Sequence, residues 1–569
     1  MQALSAEARG PAPHLRAIRF WRWVFVAWML GWASGCASLP ANDRQVPSTA
    51  FARPDATPLG QLVHARRAQA GARSDSGFFL LDTVEDALTS RIALVDGATR
   101  SLDLQYYAVH ADASTEVLLQ RIRDAAQRGV RVRILLDDFN TVGADAQVLR
   151  LAFVPNVEIR LFNPLAGPRN NMLGRIFSTL HDMDRLQKRM HNKLFLADNA
   201  WGITGGRNLG DRYFGSGDKQ NFVDLDVLAA GRVVQDMSRS FDRFWNDKLA
   251  YPVQSLLDAE DLERLRQWTP SGASSRVAQQ SVQPVVLPVT ASPTVLPSIT
   301  QAEAVQAERP PMDLRTVPLI WAPSTLLVDG PGKVAPGDDE VDAGETVIDG
   351  LLQLMQQAQR DVLIISPYFV PGPRMMAVYE QLRRRSVRVR VLTNSLASND
   401  APAAHAGYAR YRKDLLAMGV ELHEMRSDPE TAAELLGSSR GRGSAGGLFG
   451  SAGGSKAYPN SRASLHSKAV IIDQRWSVIG SMNLDLRSQL QNSEVALVIR
   501  GAQLAQVATR QIENTLATAA YRVEARGDDL FWRAPSGAGF GDEKGEPGAS
   551  TKLKLLVRVI GPFAPDEML

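Results

Sequence analysis

Apolar and polar positions along the chain alternate in two periods, and the order of the resulting elements occurs twice. Val84 to Ala98 reads as a helix, Ser101 to Tyr107 as a strand, Thr115 to Gln127 as a helix and Val130 to Leu136 as a strand. Val157 to Phe162 supplies a further strand. The same order returns with a helix over Thr346 to Ala358, a strand over Val362 to Tyr368 and a helix over Met375 to Arg384. The next strand, Val387-Arg388-Val389-Arg390-Val391-Leu392, echoes Val130-Arg131-Val132-Arg133-Ile134-Leu135. Helical residues Leu415 to Met418 then lead to a strand opening at Glu421-Leu422-His423. Strands alternating with helices of this length predict an α/β fold with a parallel or mixed sheet. The repeat predicts two such domains, packed side by side about a pseudo-twofold axis.

Each half carries one copy of a spaced polar motif. His191-Asn192-Lys193, the apolar run Leu194-Phe195-Leu196, Asp198 and then Gly205-Gly206-Arg207-Asn208 form the first. His466-Ser467-Lys468, Ala469-Val470-Ile471-Ile472, Asp473 and Gly480-Ser481-Met482-Asn483 form the second. Both read H-x-K-x4-D-x6-G-[GS]-x-N. Alternate residues of a strand share a face, so each histidine is expected to project with its lysine while the apolar run buries the strand behind them. An imidazole can be nucleophile, base or acid, and lysine is a compact cation for phosphate. Two facing pairs would surround one phosphate. Asn208 and Asn483 add amide donors, and the glycines are expected to let backbone approach an oxyanion.

Composition changes this picture little at the site and more at the termini. The net charge is +3 over 569 residues, and there is no basic-aromatic track, which speaks against a nucleic-acid partner. A single cysteine excludes an intrachain disulfide framework. It follows Arg9, Arg16, Arg19 and Arg22, the apolar run Trp23 to Trp32 and the small residues Ala33-Ser34-Gly35. This reads as a signal segment over 1–36, similar to a bacterial lipoprotein signal in which Cys36 becomes the lipidated first residue. A signal anchor with an ordinary cysteine is the alternative. Either exports the body of the chain, facing the periplasm, and attaches it to a membrane. Ala37 leans toward the outer membrane. Residues 37–74 read as a tether, 75–270 as the first domain, 271–311 as a Pro-rich linker and 312–524 as the second domain. Within the second domain, 436–460 is a Gly/Ser-rich insertion, either a passive loop or a mobile cover, and 525–569 is a basic amphipathic tail. Leu173 to Leu180 and the tail segment Lys552 to Ile560 mix apolar and basic residues in a way that suits a lipid surface as well as ordinary packing.

The duplicated motif resembles the HKD motif of the phospholipase D superfamily over most of the chain, about Leu80 to Glu524. The segments RMHNKLFLAD, GGRNLGDRYFG, FVDLDVL and GSMNLDLRS resemble the bacterial cardiolipin synthase C group in particular. The resemblance implies two α/β/α sandwich domains with the active site at their interface and no metal or other cofactor. It makes His191 the nucleophile that forms a phosphohistidine and His466 the acid and then the base, with the reverse assignment left open. Lys193, Lys468, Asn208 and Asn483 would hold the phosphoryl oxygens. Asp224 and Glu494, on the strands after each motif, are candidates to orient the histidines, Asp224 rather than Asp226. Asp198 and Asp473 belong to the motif and in the family are more often anchors than participants. The implied reaction transfers a phosphatidyl group to phosphatidylglycerol, from phosphatidylglycerol or phosphatidylethanolamine. Hydrolysis by a phospholipase D and cleavage by an exported nuclease are the alternatives. His64, His110, His181 and His423 read as structural. His405 is a candidate substrate contact or a packed core residue.

Overall fold

The computed structural model describes residues 39–141, 145–166, 182–217, 220–257, 263, 310–335, 346–428 and 462–561. The signal segment with Cys36, the stretch Leu173 to Leu180, His181, the linker as far as residue 309 and the Gly/Ser-rich insertion lie outside these residues.

The first half supplies strands β1 Ser76–Leu81, β2 Ser101–Tyr106, β3 Arg131–Asp137, β4 Val157–Phe162, β5 Leu194–Ala197, β6 Trp201–Gly205, β7 Gln220–Val223, β8 Asp226–Gly231 and β9 Ala250–Pro252. A short strand β10, Ile320–Trp321, completes its nine-stranded sheet in the order β10-β1-β8-β6-β5-β2-β3-β4-β9. The second half supplies β11 Ser324–Val328, β12 Asp361–Ile365, β13 Arg388–Asn394, β14 Glu421–Met425, β15 Arg462–Leu465, β16 Ala469–Ile472, β17 Trp476–Gly480, β18 Val495–Arg500, β19 Ala520–Arg526, β20 Asp529–Arg533 and β21 Glu543–Lys544. Its sheet runs β11-β18-β17-β16-β12-β13-β14-β19-β20-β21. From β1 to β9 and from β11 to β19 the two orders correspond strand for strand. In each, two parallel pairings are flanked by antiparallel ones, so both sheets are mixed.

Helices cover both faces, which is why whole strands are buried instead of alternating. Helix α1 is Pro58–Gln69, α2 Val84–Gly97, α3 Ala113–Gln127 and α4 Arg232–Trp245. In the second half α5 is Val347–Gln356, α6 Gly372–Arg384, α7 Pro402–Ala417, α8 Leu486–Leu490 and α9 Ala502–Thr518, and α10 Thr551–Ile560 closes the described chain. Thr83 caps α2 by accepting from Asp86 N, and Thr346 caps α5 by accepting from Asp349 N. One apolar cluster lies wholly in the first half and another wholly in the second. A third is shared, with Leu196, Val227 and Phe244 packed among Leu363, Ile471 and Val495.

The echo between the two β3-type strands has a physical cause. Arg133 is buried and pairs with Asp103 on β2 at 2.6 Å and Asp242 on α4 at 2.8 Å. Arg390, at the matching place, pairs with Asp361 on β12 at 3.1 Å and Glu513 on α9 at 2.8 Å. Each guanidinium clamps a neighbouring strand to the helix above it. Such charges are tolerated inside a sheet because they are paired.

Three expected boundaries change. The presumed tether is packed: Gln45 donates to Trp245 O and Asp247 O, Arg133 donates to Ser48 O, and Leu59 and Val63 of α1 join the first core. Residues 312–321 belong to the first half, because β10 pairs with β1 and Arg66 donates to Leu314 O and Val317 O. The second sheet also continues past Glu524 through β20 and β21, so part of the presumed tail is sheet. Local propensity could not reveal these edges, since Pro- and Arg-rich segments pack here through backbone and side-chain hydrogen bonds.

The motif aspartates anchor the fold. Asp198 and Asp473 stand at the ends of β5 and β16 farthest from the motif histidines, both in the left-handed region at φ 52°. Asp198 accepts from the backbone N of Thr99, Arg100 and Ser101, and Asp473 from Gln359, Arg360 and Asp361. Each carboxylate ties the turn after its strand to the start of the neighbouring one. Asp198→Ala leaves three buried or part-buried donors without their acceptor, and we expect a loss of about 3 kcal/mol in unfolding free energy, read by denaturant melts, with the histidine geometry kept.

Candidate active site

The two halves meet through backbone before any side chain is involved. β15 pairs in parallel with β7, the residues that precede His466 and Asp224. His466 N donates to Val223 O at 2.9 Å, and His191 N donates to Ser493 O at 3.0 Å. Val223 and Ser493 immediately precede Asp224 and Glu494, so each motif histidine is held against the carboxylate segment of the other half.

The side chains cross in the same way. His191 Nδ1 lies 3.0 Å from both carboxylate oxygens of Glu494, and His466 Nδ1 lies 2.6 Å from Asp224 Oδ2. With Nδ1 donating to a carboxylate, Nε2 of each ring is left for chemistry. Tyr107 stands edge-on to His191 at 5.1 Å, and Tyr213 edge-on to His466 at 5.3 Å. Neither aromatic was singled out from sequence, since their places in Tyr106-Tyr107 and Arg212-Tyr213 carry no periodic signal.

Several expectations on local geometry shift. His191 and Lys193 precede β5, and His466 and Lys468 precede β16, so they belong to the strand entrances and not to the ladders. The lysines still turn to their histidines: Lys193 Nζ donates to His191 O at 2.8 Å and Lys468 Nζ to His466 O at 2.5 Å. The glycines allow close packing against the strand that follows each motif. A Cβ on Gly206 would fall 2.1 Å from Asp224 Oδ1, and one on Gly480 would fall 2.1 Å from Val495 O. At the place equivalent to Gly206, Ser481 donates its hydroxyl to Glu494 Oε2. Asn208 is already engaged, donating to the Tyr213 hydroxyl at 2.9 Å. Asn483 Oδ1 is buried without a hydrogen-bond partner among the described residues.

Asp226 does a different job from Asp224, pairing with the buried Arg91 at 2.8 Å and accepting from Arg207 N. Glu494 is fixed by Ser488 Oγ at 2.8 Å, while its backbone N donates to Asp329, itself paired with Lys333 at 2.7 Å. His405 is fully buried against Arg412 and Glu546, away from solvent, which removes the substrate-contact reading. His64 pairs with Asp55, and His110 with Asp145. Asp400, accepting from the Tyr368 hydroxyl at 2.8 Å, adds a carboxylate whose charge reaches His466 and Lys468.

Crowded cations and burial set the electrostatics. Burial, then Lys193, Lys468 and His466, hold the His191 imidazole well below its ordinary value. Burial and Lys468 also hold His466 below its ordinary value, although Asp224 opposes them. Burial brings Lys193 down to about 7 and pushes Glu494 up to about 7, the latter against the pull of Lys193. Burial would raise Asp224 as well, yet His466, Lys468 and Arg207 outweigh it and hold this carboxylate low. The two histidine-carboxylate pairs are thus unequal in charge although alike in shape. A phosphodiester anion entering between them would offset the cationic excess and raise all four basic groups.

This fold and paired site define an enzyme of the phospholipase D class. A family model described as cardiolipin synthase, PLD-like domain, matches residues 92–245 and 351–516, and the chain belongs to that family. Cardiolipin synthase C of Escherichia coli is 36% identical over 453 residues, covering 79% of this chain and 86% of that protein. An uncharacterized protein of Helicobacter pylori is 29% identical over 92% of this chain and 95% of its own length. The crystal structure of phosphatidylserine synthase from Haemophilus influenzae shares the fold, with a TM-score of 0.51 and 15% identity over 89% of this chain and all of that one.

The raised Glu494 value has a sign that can be tested. A buried carboxyl titrating near 7, against an ordinary 4.5, contributes stability below 4.5 that is lost as pH rises through about 7. Glu494→Gln has no proton to lose there, so the difference in unfolding free energy between the two proteins should drift by up to about 3 kcal/mol in the variant's favour over that window. Denaturant melts across pH check it, and a difference independent of pH would contradict the assignment.

Proposed function

We propose that the chain is a phosphatidyltransferase that makes cardiolipin, passing a phosphatidyl group through His191 to phosphatidylglycerol. The observation that carries the reading is the crossed pairing: one composite site with two differently charged histidine-carboxylate pairs. His191, the more strongly depressed imidazole, is neutral near pH 7 and suited to attack phosphorus. His466 is also lowered by burial and Lys468, but less so than His191, and the ionised Asp224 beside it together with an entering phosphodiester anion suits it to hold and deliver a proton. Nε2 of His191 forms the N–P bond as the P–O bond to the first alcohol breaks, and that alcohol leaves with the proton from His466. His466 then takes the proton of the incoming glycerol hydroxyl, whose oxygen displaces His191. One phosphodiester replaces another, so no energy source is needed. Lys193 and Lys468 would carry the phosphoryl charge, joined by Asn483; Asn208 would act through Tyr213.

The similarity to cardiolipin synthase C supports phospholipid substrates and the transferase outcome. Attachment to a membrane by an exported N-terminal segment, lipidated at Cys36, fits substrates that never leave a bilayer. Among the described residues no helix is long and apolar enough to cross a membrane, and the apolar run Trp23 to Trp32 lies outside them.

Purified protein given labelled phosphatidylglycerol, with and without phosphatidylethanolamine, should form cardiolipin by mass spectrometry. His191→Ala and His466→Ala should each lower the rate by at least about a thousandfold. Phosphatidic acid as the main product would make the chain a phospholipase D, and turnover of DNA but not lipid would make it a nuclease.

A further inference from the structure

Large apolar side chains exposed to solvent are few among the described residues: Val46, Leu490, Leu555, Leu556 and Val559. Three of the five lie on α10, at 62%, 45% and 57% exposure. Their spacing, i, i+1 and i+4, puts them on one face of the helix. Leu553, Val557 and Ile560 are half-buried and form another face, and the helix packs against α7. Arg410 of α7 donates to Gly561 O, which fixes the C-terminal end. Lys552, Lys554 and Arg558 are exposed, and no acidic residue falls between Thr551 and Ile560. Ser550 caps the helix by accepting from Leu553 N, so the element is complete as it stands.

We infer that α10 is an interfacial docking helix, which lays Leu555, Leu556 and Val559 into the surface of an anionic lipid bilayer. A second copy of this chain would have to bring together basic helices free of acidic residues, whereas anionic headgroups complement Lys552, Lys554 and Arg558 and the acyl boundary takes the leucines. Gly548, just before the helix, lies against Ala397 in the loop that carries Asp400. The start of α10 therefore lies next to the loop that carries Asp400, whose charge reaches His466. The inference concerns binding and is independent of which acceptor the site uses.

Cys36 is the only cysteine, so Cys36→Ser with Val559→Cys in the full chain gives one position for an environment-sensitive fluorophore. On vesicles of phosphatidylcholine mixed with phosphatidylglycerol the label should shift to the blue and be quenched by spin-labelled acyl chains. On phosphatidylcholine alone the shift should be much weaker. Adding Lys552→Gln, Lys554→Gln and Arg558→Gln should weaken the partition of the label by roughly a hundredfold, and added salt should act in the same direction. Because the label reports the helix itself, binding by the N-terminal segment does not mimic the result, and no turnover is needed. A label that stays aqueous on phosphatidylglycerol vesicles overturns the inference. So does a shift that is equal on both lipids, or one that grows with protein concentration without vesicles and reveals a second copy as the occupant.

Discussion

Two hydrogen bonds that cross between the halves, His191 to Glu494 and His466 to Asp224, are what the remaining architecture is arranged to hold. Neither half completes a histidine-carboxylate pair by itself. The backbone bonds from His191 to Ser493 and from His466 to Val223 set each ring beside the opposite carboxylate, and the parallel pairing of β7 with β15 extends one of these contacts. Behind the carboxylates stand buried ion pairs, Arg91 with Asp226 and Lys333 with Asp329. The core shared by both sheets then resists any separation of the halves, which would expose apolar surface as well as unpaired charge.

The symmetry is one of shape, and it is broken in charge. A nucleophile must be neutral while its partner keeps a proton to give; two identical pairs could share one proton in either direction, whereas unequal surroundings bias which ring holds it. Here Glu494 is raised and hydrogen-bonded by Ser481 and Ser488, while Asp224 has Gly206 at the matching place and is held low by the cations around it. One small difference, serine in place of glycine, accompanies the division of labour proposed for the two histidines.

Much of this could be read from the chain. The strands and helices of both halves were legible because buried strands leave continuous apolar runs; the repeated motif named the histidines and lysines, and the acidic residues on the strands after each copy, Asp224 and Glu494, followed from the resemblance. The crossing was not legible, because spacing within a half says nothing about which half supplies a partner. Tyr107, Tyr213 and Ser488 carry no periodic signal and become visible only when the interface closes. The packed segment around Gln45 and α1 was read as a tether since its Pro and Arg content conceals hydrogen bonds made to α4 and β3, distant in sequence. His405 was open between a substrate contact and a packed core residue, and it is the buried partner of Arg412, a pairing seven residues along α7 that spacing alone did not single out.

The crossed pairing is tested most directly by trapping the covalent intermediate in Glu494→Gln and Asp224→Asn, using a phosphatidyl ester with an activated leaving group that needs no acid. Glu494→Gln should suppress labelling of His191, seen by mass spectrometry of the peptide that contains it, whereas Asp224→Asn should allow labelling and stall transfer to the alcohol. Labelling lost in Asp224→Asn and kept in Glu494→Gln would mean that each carboxylate serves the histidine of its own half, and would contradict the account.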